Sequence, residues 1–324
     1  MLRRGPAWSN SLFEDNAEFG LGLRLAVDQK REYAEYLLRQ CAAQVGADLV
    51  DEILDATQHS DEEINAQRER IAELKQRLGK LNTSQAARLM QITEVLVKRD
   101  VWIVGGDGWA YDIGFGGLDH ILTAHRDVNV LVLDTGVYSN TGGQSSKATP
   151  RAAAAKFASS GKSSRKKDLG MLAVSYGNVY VAQVALGANP AQCIRAFTEA
   201  ESYPGPSLIL AYSHCIAHGI DMTTAMSHQK DAVHCGFWPL YRYDPRLAHQ
   251  GLHPFHLDSA KPTMGFDRYA MQEARFAMLS RSDPGRARHL LELAQADIDD
   301  QWHYYEQMAG VEREITEATE EEDS

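Results

Sequence analysis

A strand that runs straight into a glycine-rich turn is the feature that most constrains this chain. The apolar residues 101–104 are followed at once by Gly-Gly-Asp-Gly-Trp at 105–109, and one predicted helix later the apolar run 129–134 leads into a second turn. Short apolar runs rich in β-branched residues and separated by helices are typical of a buried parallel sheet. In such sheets ligands bind at the carboxyl ends of the strands. The sequence therefore predicts an α/β fold whose site lies where the two turns meet.

The residue types in these turns suit a diphosphate and its metal ion. The glycines on either side of Asp107 let backbone N–H groups come close to phosphate oxygens, and the start of a helix adds partial positive charge. Asp107 itself supplies a hard oxygen ligand for Mg²⁺. The plain alternative for Asp107 is that it caps the following helix. The plain alternative for the second turn, which contains Thr135 and Val137, is an ordinary turn after a strand. We expect the second turn to close on the same metal ion from the other side.

Composition narrows the class of protein. The chain has 324 residues, 44% of them hydrophobic and 24% charged, as in a globular protein of one large or two small domains. Its net charge of −11 argues against nonspecific binding to nucleic acid. No apolar run approaches the roughly 20 residues that span a bilayer, and no apolar signal core follows Arg3 and Arg4. We therefore expect no membrane segment and a cytoplasmic location.

Three segments flank or interrupt the predicted α/β core. Residues 1–27 carry glycine and proline at irregular intervals and are predicted to be irregular. Residues 28–100 show apolar residues at helical spacing and a capping box at 60–63, which predict a helical insertion. Residues 246–324 form a C-terminal extension that is predicted to be loop-like to about residue 265, then helical, with an acidic frayed end at 316–324.

The α/β core is predicted to span residues 101–245. Strands are expected at 101–105, 129–134, 207–212 and at either 170–175 or 178–182. Helices are expected at 109–125, 190–202 and 222–235, and in the extension at 267–281 and 284–308. The whole reads as a mostly parallel sheet with a helical insertion and a C-terminal helical extension.

The two turns and their neighbours resemble the C-terminal thiamine-diphosphate-binding domain of pyruvate:ferredoxin (flavodoxin) oxidoreductases. The resemblance is carried by Gly-Asp-Gly with a distant Asn140, by Trp-Ala-Tyr-Asp-Ile-Gly-Phe-Gly-Gly-Leu-Asp-His at 109–120, and by residues 134–146. It extends from residues 4–16 to about Pro245 and continues more weakly beyond. It implies a thiamine-diphosphate-binding fold for the core.

The resemblance also assigns site residues. It implies that Mg²⁺ is bound by Asp107, Thr135 and the carbonyl of Val137. It places Asn140 closest to the reacting carbon, as a catalytic amide that hydrogen-bonds a developing oxygen charge; the alternative is that Asn140 only shapes the turn. The residues implied to contact the cofactor are Gly106, Asp107, Gly108, Trp109, Thr135, Gly136, Val137, Tyr138, Ser139 and Asn140.

Cysteine usage gives a further expectation. No Cys-x-x-Cys pair is present, so a self-contained zinc or iron–sulfur site is not indicated. Composition alone makes Cys215 a buried small residue. The resemblance instead implies that Cys215 is the last thiolate of the [4Fe–4S] cluster nearest the thiamine, the other three ligands lying upstream of the core. Cys41, Cys193 and Cys235 are expected to be core residues.

The family's activity is the oxidative decarboxylation of pyruvate with coenzyme A to acetyl-CoA and CO₂, with electrons passed through iron–sulfur clusters to ferredoxin or flavodoxin. The resemblance implies that the chain works with the remaining domains of such an enzyme, as a homodimer. The upstream cluster cysteines, the pyrimidine-binding domain and the ferredoxin-like domain are not found in this sequence. A fragment, a broken gene product and a separately encoded subunit stay open, as do an inactive remnant and a non-redox thiamine-dependent decarboxylase subunit.

Two other segments stand out by composition. Residues 147–167 are strongly basic, and could face an acidic ferredoxin or flavodoxin, or coenzyme A phosphates; a solvated loop packed against other domains is the plainer interpretation. His249, His253 and His256 have no ligand spacing and are interpreted as surface or interdomain packing.

Overall fold

The computed structural model describes residues 6–311. The first two residues of the resembling stretch, at 4 and 5, and the acidic end at 316–324 lie outside this range. The chain divides into two compact units, one formed by residues 19–101 and the other by residues 1–18 with 102–324. Within the described range no helix combines the length and the apolar character that a membrane span requires.

A six-stranded sheet forms the centre of the larger unit. Its strands are β1 (Trp102–Gly106), β2 (Asn129–Asp134), β3 (Tyr180–Val184), β4 (Ser207–Tyr212), β5 (Tyr241–Tyr243) and β6 (Phe255–Leu257), in the spatial order β1-β2-β4-β3-β5-β6. The first four are parallel to one another, β5 pairs antiparallel with β3, and β6 pairs antiparallel with β5. The predicted mostly parallel α/β sheet is thereby confirmed. Of the two alternative strands, the one near 178–182 is correct, because the earlier segment is a helix.

Packing against the sheet explains why these segments form strands. All five residues of β3 are buried, as expected for a parallel strand that is covered on both faces. Ala196 and Ala200 of the following helix pack with Tyr180, Ala182 and Ile209 of the strands in one apolar cluster. Small residues on the helix let it lie close to the sheet.

Eight α-helices of the described chain accompany the sheet: α6 (Phe115–Thr123), α7 (Leu169–Val174), α8 (Pro190–Ser202), α9 (Ala225–His234), α10 (Pro245–His249), α11 (Phe266–Ala270), α12 (Ala274–Ser282) and α13 (Pro284–Gly310). Two predictions need correction here. The segment after Pro245 is not only loop, since β6 pairs with β5 and extends the sheet beyond the expected core boundary. The helix expected over 267–281 is two helices, because the chain turns between them and buries the side chain of Glu273.

The smaller unit is helical. Its helices are α1 (Asn16–Gln40, which begins in the larger unit), α2 (Ala42–Val45), α3 (Ala47–Leu54), α4 (Asp61–Leu78) and α5 (Ser84–Ile92). The predicted capping box is present, with Ser60 and Glu63 each accepting a backbone N–H of the other. Leucine, isoleucine and valine side chains of α3, α4 and α5 form one buried cluster.

The prediction of irregular structure through residue 27 is wrong from Asn16 onward, where α1 begins. The buried residues at this end are Ala17, Gly20 and Arg24, which lie three and four positions apart, on one helix face. Two of them are too small, and the third too polar, to register as an apolar stripe. Glycine costs only about 1 kcal/mol in a helix interior, and packing overrides that preference.

Truncation of the helical unit's core should destabilise it. Leu74 of α4 is fully buried, so Leu74→Ala leaves a cavity and should lower the free energy of unfolding by about 2–5 kcal/mol. Urea unfolding followed by circular dichroism measures the loss. Glu69→Ala, at an exposed position of the same helix, is the control and should stay within about 0.5 kcal/mol of the parent. Equal effects of the two substitutions would contradict the assigned core.

Candidate functional site

Three neighbouring strand ends meet at one edge of the sheet. Gly106 at the end of β1 pairs with Leu133 of β2, and Asp134 at the end of β2 pairs with Tyr212 at the end of β4. The residues that follow these strands are therefore close in space. They include Asp107, Thr135 and Cys215, which the sequence had singled out separately.

Three oxygen atoms from two of these turns converge. The Thr135 hydroxyl lies 2.7 Å from Oδ1 of Asp107 and 3.0 Å from the carbonyl oxygen of Val137. One hydroxyl proton cannot satisfy both acceptors at once. Oxygens bound to adjacent positions of Mg²⁺, at about 2.1 Å from the ion, would be about 3 Å apart. The two distances from the Thr135 hydroxyl are thus close to the spacing between neighbouring ligands of an octahedral Mg²⁺ ion.

The electrostatics of Asp107 also favour a cation. The carboxylate is 1% exposed. Burial and the charge of Asp134 raise the pKa of Asp107 to about 6, although Lys166 and Thr135 act in the opposite direction. A shift of this size makes the ionised form about 3 kcal/mol less favourable than in water. A divalent ion against Oδ1 would offset that cost.

A second carboxylate sits behind the first and is neutralised within the protein. Asp134 is 3% exposed and accepts hydrogen bonds from Lys166 Nζ at 2.7 Å and from the backbone N–H of Gly136 at 3.1 Å. Lys166 also lies 4.6 Å from the centre of the Tyr111 ring. Because Asp134 has its own counter-ion and caps the turn, Asp107 is the carboxylate left to bind an added metal ion.

The two glycines that flank Asp107 differ in the space around them. A Cβ at Gly106 would meet no atom within 4 Å, whereas a Cβ at Gly108 would lie 2.4 Å from the Tyr138 ring. Open space beside Gly106 is where a ligand could approach the backbone. The chain then makes one π-helical turn, Trp109–Ile113, before α6. Backbone N–H groups of such a first turn lack partners within the helix.

Trp109, which the resemblance implies to be a cofactor contact, has its side chain in the core. Its side chain is fully buried, and its ring fills the space that a Cβ at Gly105 or Gly114 would need. The indole therefore anchors the π-helical turn in the core. The Trp109 side chain does not reach the surface, so a ligand contact of this residue would have to be made through its backbone.

The second turn is closed by its own backbone. Tyr138 donates its N–H to the Gln144 carbonyl at 3.0 Å, and Gly143 donates to the Tyr138 carbonyl at 2.8 Å. Gly136 has φ of +69°, a left-handed conformation that favours glycine. Ser139 and Asn140 are exposed at the tip. The turn thus presents the Asn140 amide outward from the same loop that carries Thr135 and Val137.

Cys215 adjoins this tip. Its thiol is buried, with Sγ 3.1 Å from the Ser139 hydroxyl and 3.4 Å from the N–H of Ala217. Among the described residues no group of three or more His, Cys, Asp or Glu side chains is placed to hold a metal ion. The oxygens of Asp107, Thr135 and Val137 are not such a group, because two of them belong to a hydroxyl and a backbone carbonyl. The other cysteines, Cys41, Cys193 and Cys235, are buried thiols as expected.

Sequence reasoning missed three buried titratable residues behind the second turn. His218, Glu273 and Arg275 are all buried, and two of them hydrogen-bond the Thr135 carbonyl. His218 lies three residues after Cys215 and had no predicted role, and the other two lie in the segment expected to be a plain helical extension. The sequence Glu-x-Arg does not by itself predict a buried ion pair, since such pairs are common on exposed helices.

The basic segment contains structural lysines. Lys162 donates to the carbonyls of Ser146 and Thr149 at 2.7 and 2.6 Å, and burial lowers the pKa of Lys162 to about 8. The segment also lines a cavity of about 590 Å³. Of the histidines 249, 253 and 256, His253 bonds to the backbone of Phe255.

A matched pair of glycine substitutions tests the turn geometry. Gly108→Ala should lower the free energy of unfolding by about 1–3 kcal/mol because its Cβ overlaps the Tyr138 ring. Gly106→Ala should be tolerated in stability, since the space beside it is open. Urea unfolding of both variants and the parent provides the comparison. A Gly108→Ala protein as stable as Gly106→Ala would show that the two turns are not packed as described.

The chain is similar to a known domain family and to several known proteins. Residues 83–211 match the family described as thiamine pyrophosphate enzyme, C-terminal TPP binding domain. The chain is 58% identical over 306 residues to a putative pyruvate-flavodoxin oxidoreductase of Synechocystis sp., covering 94% of this chain and 26% of that protein. It is 47% identical over 313 residues to the pyruvate:ferredoxin oxidoreductase of Moorella thermoacetica, covering 94% and 27%.

The chain therefore spans about a quarter of the length of the curated relatives that it matches. A solved 2-oxoglutarate:ferredoxin oxidoreductase from Magnetococcus marinus aligns with a TM-score of 0.34 at 27% identity, over 36% of this chain and 40% of that one, which is too low to bear on the fold. The resemblance drawn from the two turns is confirmed. Residues 83–211 carry a TPP-binding domain of the thiamine pyrophosphate enzyme type, and 94% of the chain is similar to about a quarter of the length of pyruvate-flavodoxin and pyruvate:ferredoxin oxidoreductases.

Proposed function

We propose that this chain binds thiamine diphosphate through Mg²⁺ at the turns that follow β1 and β2. The observation that supports this most is the cluster of the Asp107 carboxylate, the Thr135 hydroxyl and the Val137 carbonyl, with edges of 2.7 and 3.0 Å. Three protein oxygens would leave three positions of an octahedral ion for diphosphate oxygens and water. Such a site binds a metal–diphosphate complex better than either partner alone.

The chain's own residues hold and orient the cofactor. Backbone N–H groups from Gly106 to Trp109 would face the diphosphate, and Thr135, Gly136, Val137, Tyr138, Ser139 and Asn140 would form the second wall. When bound, thiamine diphosphate supplies the carbon nucleophile and the electron sink for decarboxylation of a 2-oxo acid. Asn140, exposed at the tip of the second turn, is proposed to donate a hydrogen bond to an oxygen on which charge develops.

Cys215 is proposed to be a single ligand of a [4Fe–4S] cluster. Its Sγ lies within 3.1 Å of Ser139, so a cluster bound there would be next to the thiamine turn. Cluster irons are held by four thiolates, and no group of three or more candidate ligands is found among the described residues. The remaining ligands would have to come from protein outside the described range.

By relation to the longer proteins, we propose that the complete assembly oxidises pyruvate with coenzyme A and passes electrons to flavodoxin or ferredoxin. The other domains of that oxidoreductase would be the chain's partners, as a homodimer in the cytoplasm. The incomplete cluster set favours a second candidate, a cofactor-binding portion that does not turn over alone.

Cofactor binding is the direct test. Calorimetric titration of the full chain should show thiamine diphosphate binding that requires Mg²⁺. Asp107→Asn and Thr135→Val should each weaken it at least about tenfold, since each removes one metal ligand or its charge. Thr198→Val removes a hydroxyl that bonds a carbonyl on α8 and should leave affinity unchanged. Binding by the parent that does not depend on Mg²⁺ would contradict the assigned ligands.

Electron transfer separates the two candidate functions. The purified chain with thiamine diphosphate, Mg²⁺ and pyruvate should not reduce methyl viologen, because one cysteine cannot hold a cluster. Reduction at a rate above that of the Asp107→Asn control would contradict the proposal that other parts of the enzyme are needed.

The role of Asn140 is tested in a complete enzyme that contains this chain's sequence. Asn140→Ala should lower kcat by about 10²–10³ while thiamine diphosphate affinity stays nearly intact, because the amide acts on the reacting atoms and not on the diphosphate. Thr141→Ala, at the next position of the same turn, is the control. An unchanged kcat in the Asn140 variant would reject the catalytic role and leave it a turn-shaping residue.

A further inference from the structure

The Thr135 carbonyl is held from behind by a buried histidine. His218 Nε2 lies 2.5 Å from this oxygen, and Arg275 Nη1 lies 3.5 Å from it. Since a carbonyl only accepts, the His218 ring carries its proton on Nε2. The carbonyl belongs to the residue whose hydroxyl faces Asp107, so the histidine fixes the peptide between the strand end and the proposed metal ligands.

A closed polar cluster surrounds the histidine. The Glu273 carboxylate is fully buried, and it accepts hydrogen bonds from Tyr269 and His228, each at 2.8 Å, and from Arg275. The nearer Glu273 oxygen is 4.0 Å from Nδ1 of His218. Burial opposes ionisation of Glu273, but the charge of Arg275 outweighs it and lowers the pKa of Glu273.

The same arrangement keeps the histidine neutral. Burial and the charge of Arg275 lower the pKa of His218 to about 3. A neutral ring with one N–H has a single donor, and the Thr135 carbonyl takes it. The ring is 1% exposed, so water does not compete for that hydrogen bond.

His218 also belongs to the turn that carries Cys215. The two residues lie in one 3-10 turn, in which His218 donates its backbone N–H to the Cys215 carbonyl at 3.0 Å. The next residue, Gly219, accepts the backbone N–H of Ala274 at 3.4 Å. One short segment thus contacts the metal-binding turn through a side chain and orients the thiol through its backbone.

We propose that His218 is a positioning residue that locks the Thr135–Val137 turn to the Cys215 turn, with the Glu273–Arg275 pair holding its ring in place. This proposal rests on the proposed metal site in what it says of Mg²⁺ affinity. Through this lock, the position of the metal ligands and the position of the thiol next to Ser139 depend on each other. Residues of the C-terminal extension therefore become part of the cofactor site although they touch no proposed ligand atom.

Hydrogen exchange tests the lock without any cofactor. Three amides of the turn have acceptors, since Thr135, Gly136 and Tyr138 donate to Asp107, Asp134 and Gln144. In His218→Leu the segment 134–140, followed by mass spectrometry, should exchange at least about tenfold faster than in the parent. His218→Gln keeps a side-chain N–H donor and should restore most of the protection.

Gln183→Leu is the matched control. Gln183 is 7% exposed and donates a 2.7 Å hydrogen bond to the Pro239 carbonyl, so this substitution also deletes one buried side-chain bond to a carbonyl, but in β3. It should leave exchange of 134–140 unchanged even where urea unfolding shows a loss of stability like that of His218→Leu. Equal exchange of 134–140 in the two leucine variants would overturn the proposal.

Cofactor titration then separates this proposal from the proposed function. His218→Leu should weaken Mg²⁺-dependent thiamine diphosphate binding about tenfold, the usual size of an effect one shell away from the metal, with His218→Gln closer to the parent and Gln183→Leu unchanged. An unaltered affinity in His218→Leu would overturn the link to the metal site. If the parent shows no Mg²⁺-dependent binding while His218→Leu still speeds exchange, the proposed function fails and the lock between the two turns is supported.

Discussion

The buried contact between Asp107 and Thr135 is the interaction on which the rest of this structure depends. A carboxylate at 1% exposure is costly to ionise, and the surrounding protein offsets only part of that cost through Lys166 and two hydrogen bonds from Thr135. The remainder is an attraction for a cation. Parallel strands make the contact possible, because they deliver two chain segments to the same edge of the sheet with the same polarity.

Buried charged residues near this contact hold the second turn in a fixed position. Glu273 and Arg275 form an ion pair in the core, and breaking such a pair typically costs about 3–5 kcal/mol, although replacing it with apolar residues can be neutral. Its presence behind the Thr135 carbonyl is therefore better explained by orientation than by stability. In the larger unit, the sheet carries the two turns at its edge, and a cluster of histidines and tyrosines packs behind the second turn.

Much of the fold was predictable because its signals are local. The apolar run at 129–134 and the capping box at Ser60 each act within a few residues, and both appear in the structure as expected. The failures are equally instructive. The start of α1 was missed because small residues form its buried face, and β6 was missed because three residues paired at a sheet edge have no periodicity to read. The cofactor contact of Trp109 stays a prediction for its backbone, because its large ring fills the core.

By itself the sequence determined the order of strand, glycine turn and helix, the residue types at the site, and the resemblance to a TPP-binding domain. These depend on short-range chemistry and on long stretches of matching residues. Only the tertiary structure decided which atoms meet. Thr135 contacts partners that are 28, 83 and 140 positions away along the chain, namely Asp107, His218 and Arg275. Contacts across such separations follow from strand order and from the packing of the C-terminal helices, which no local pattern encodes.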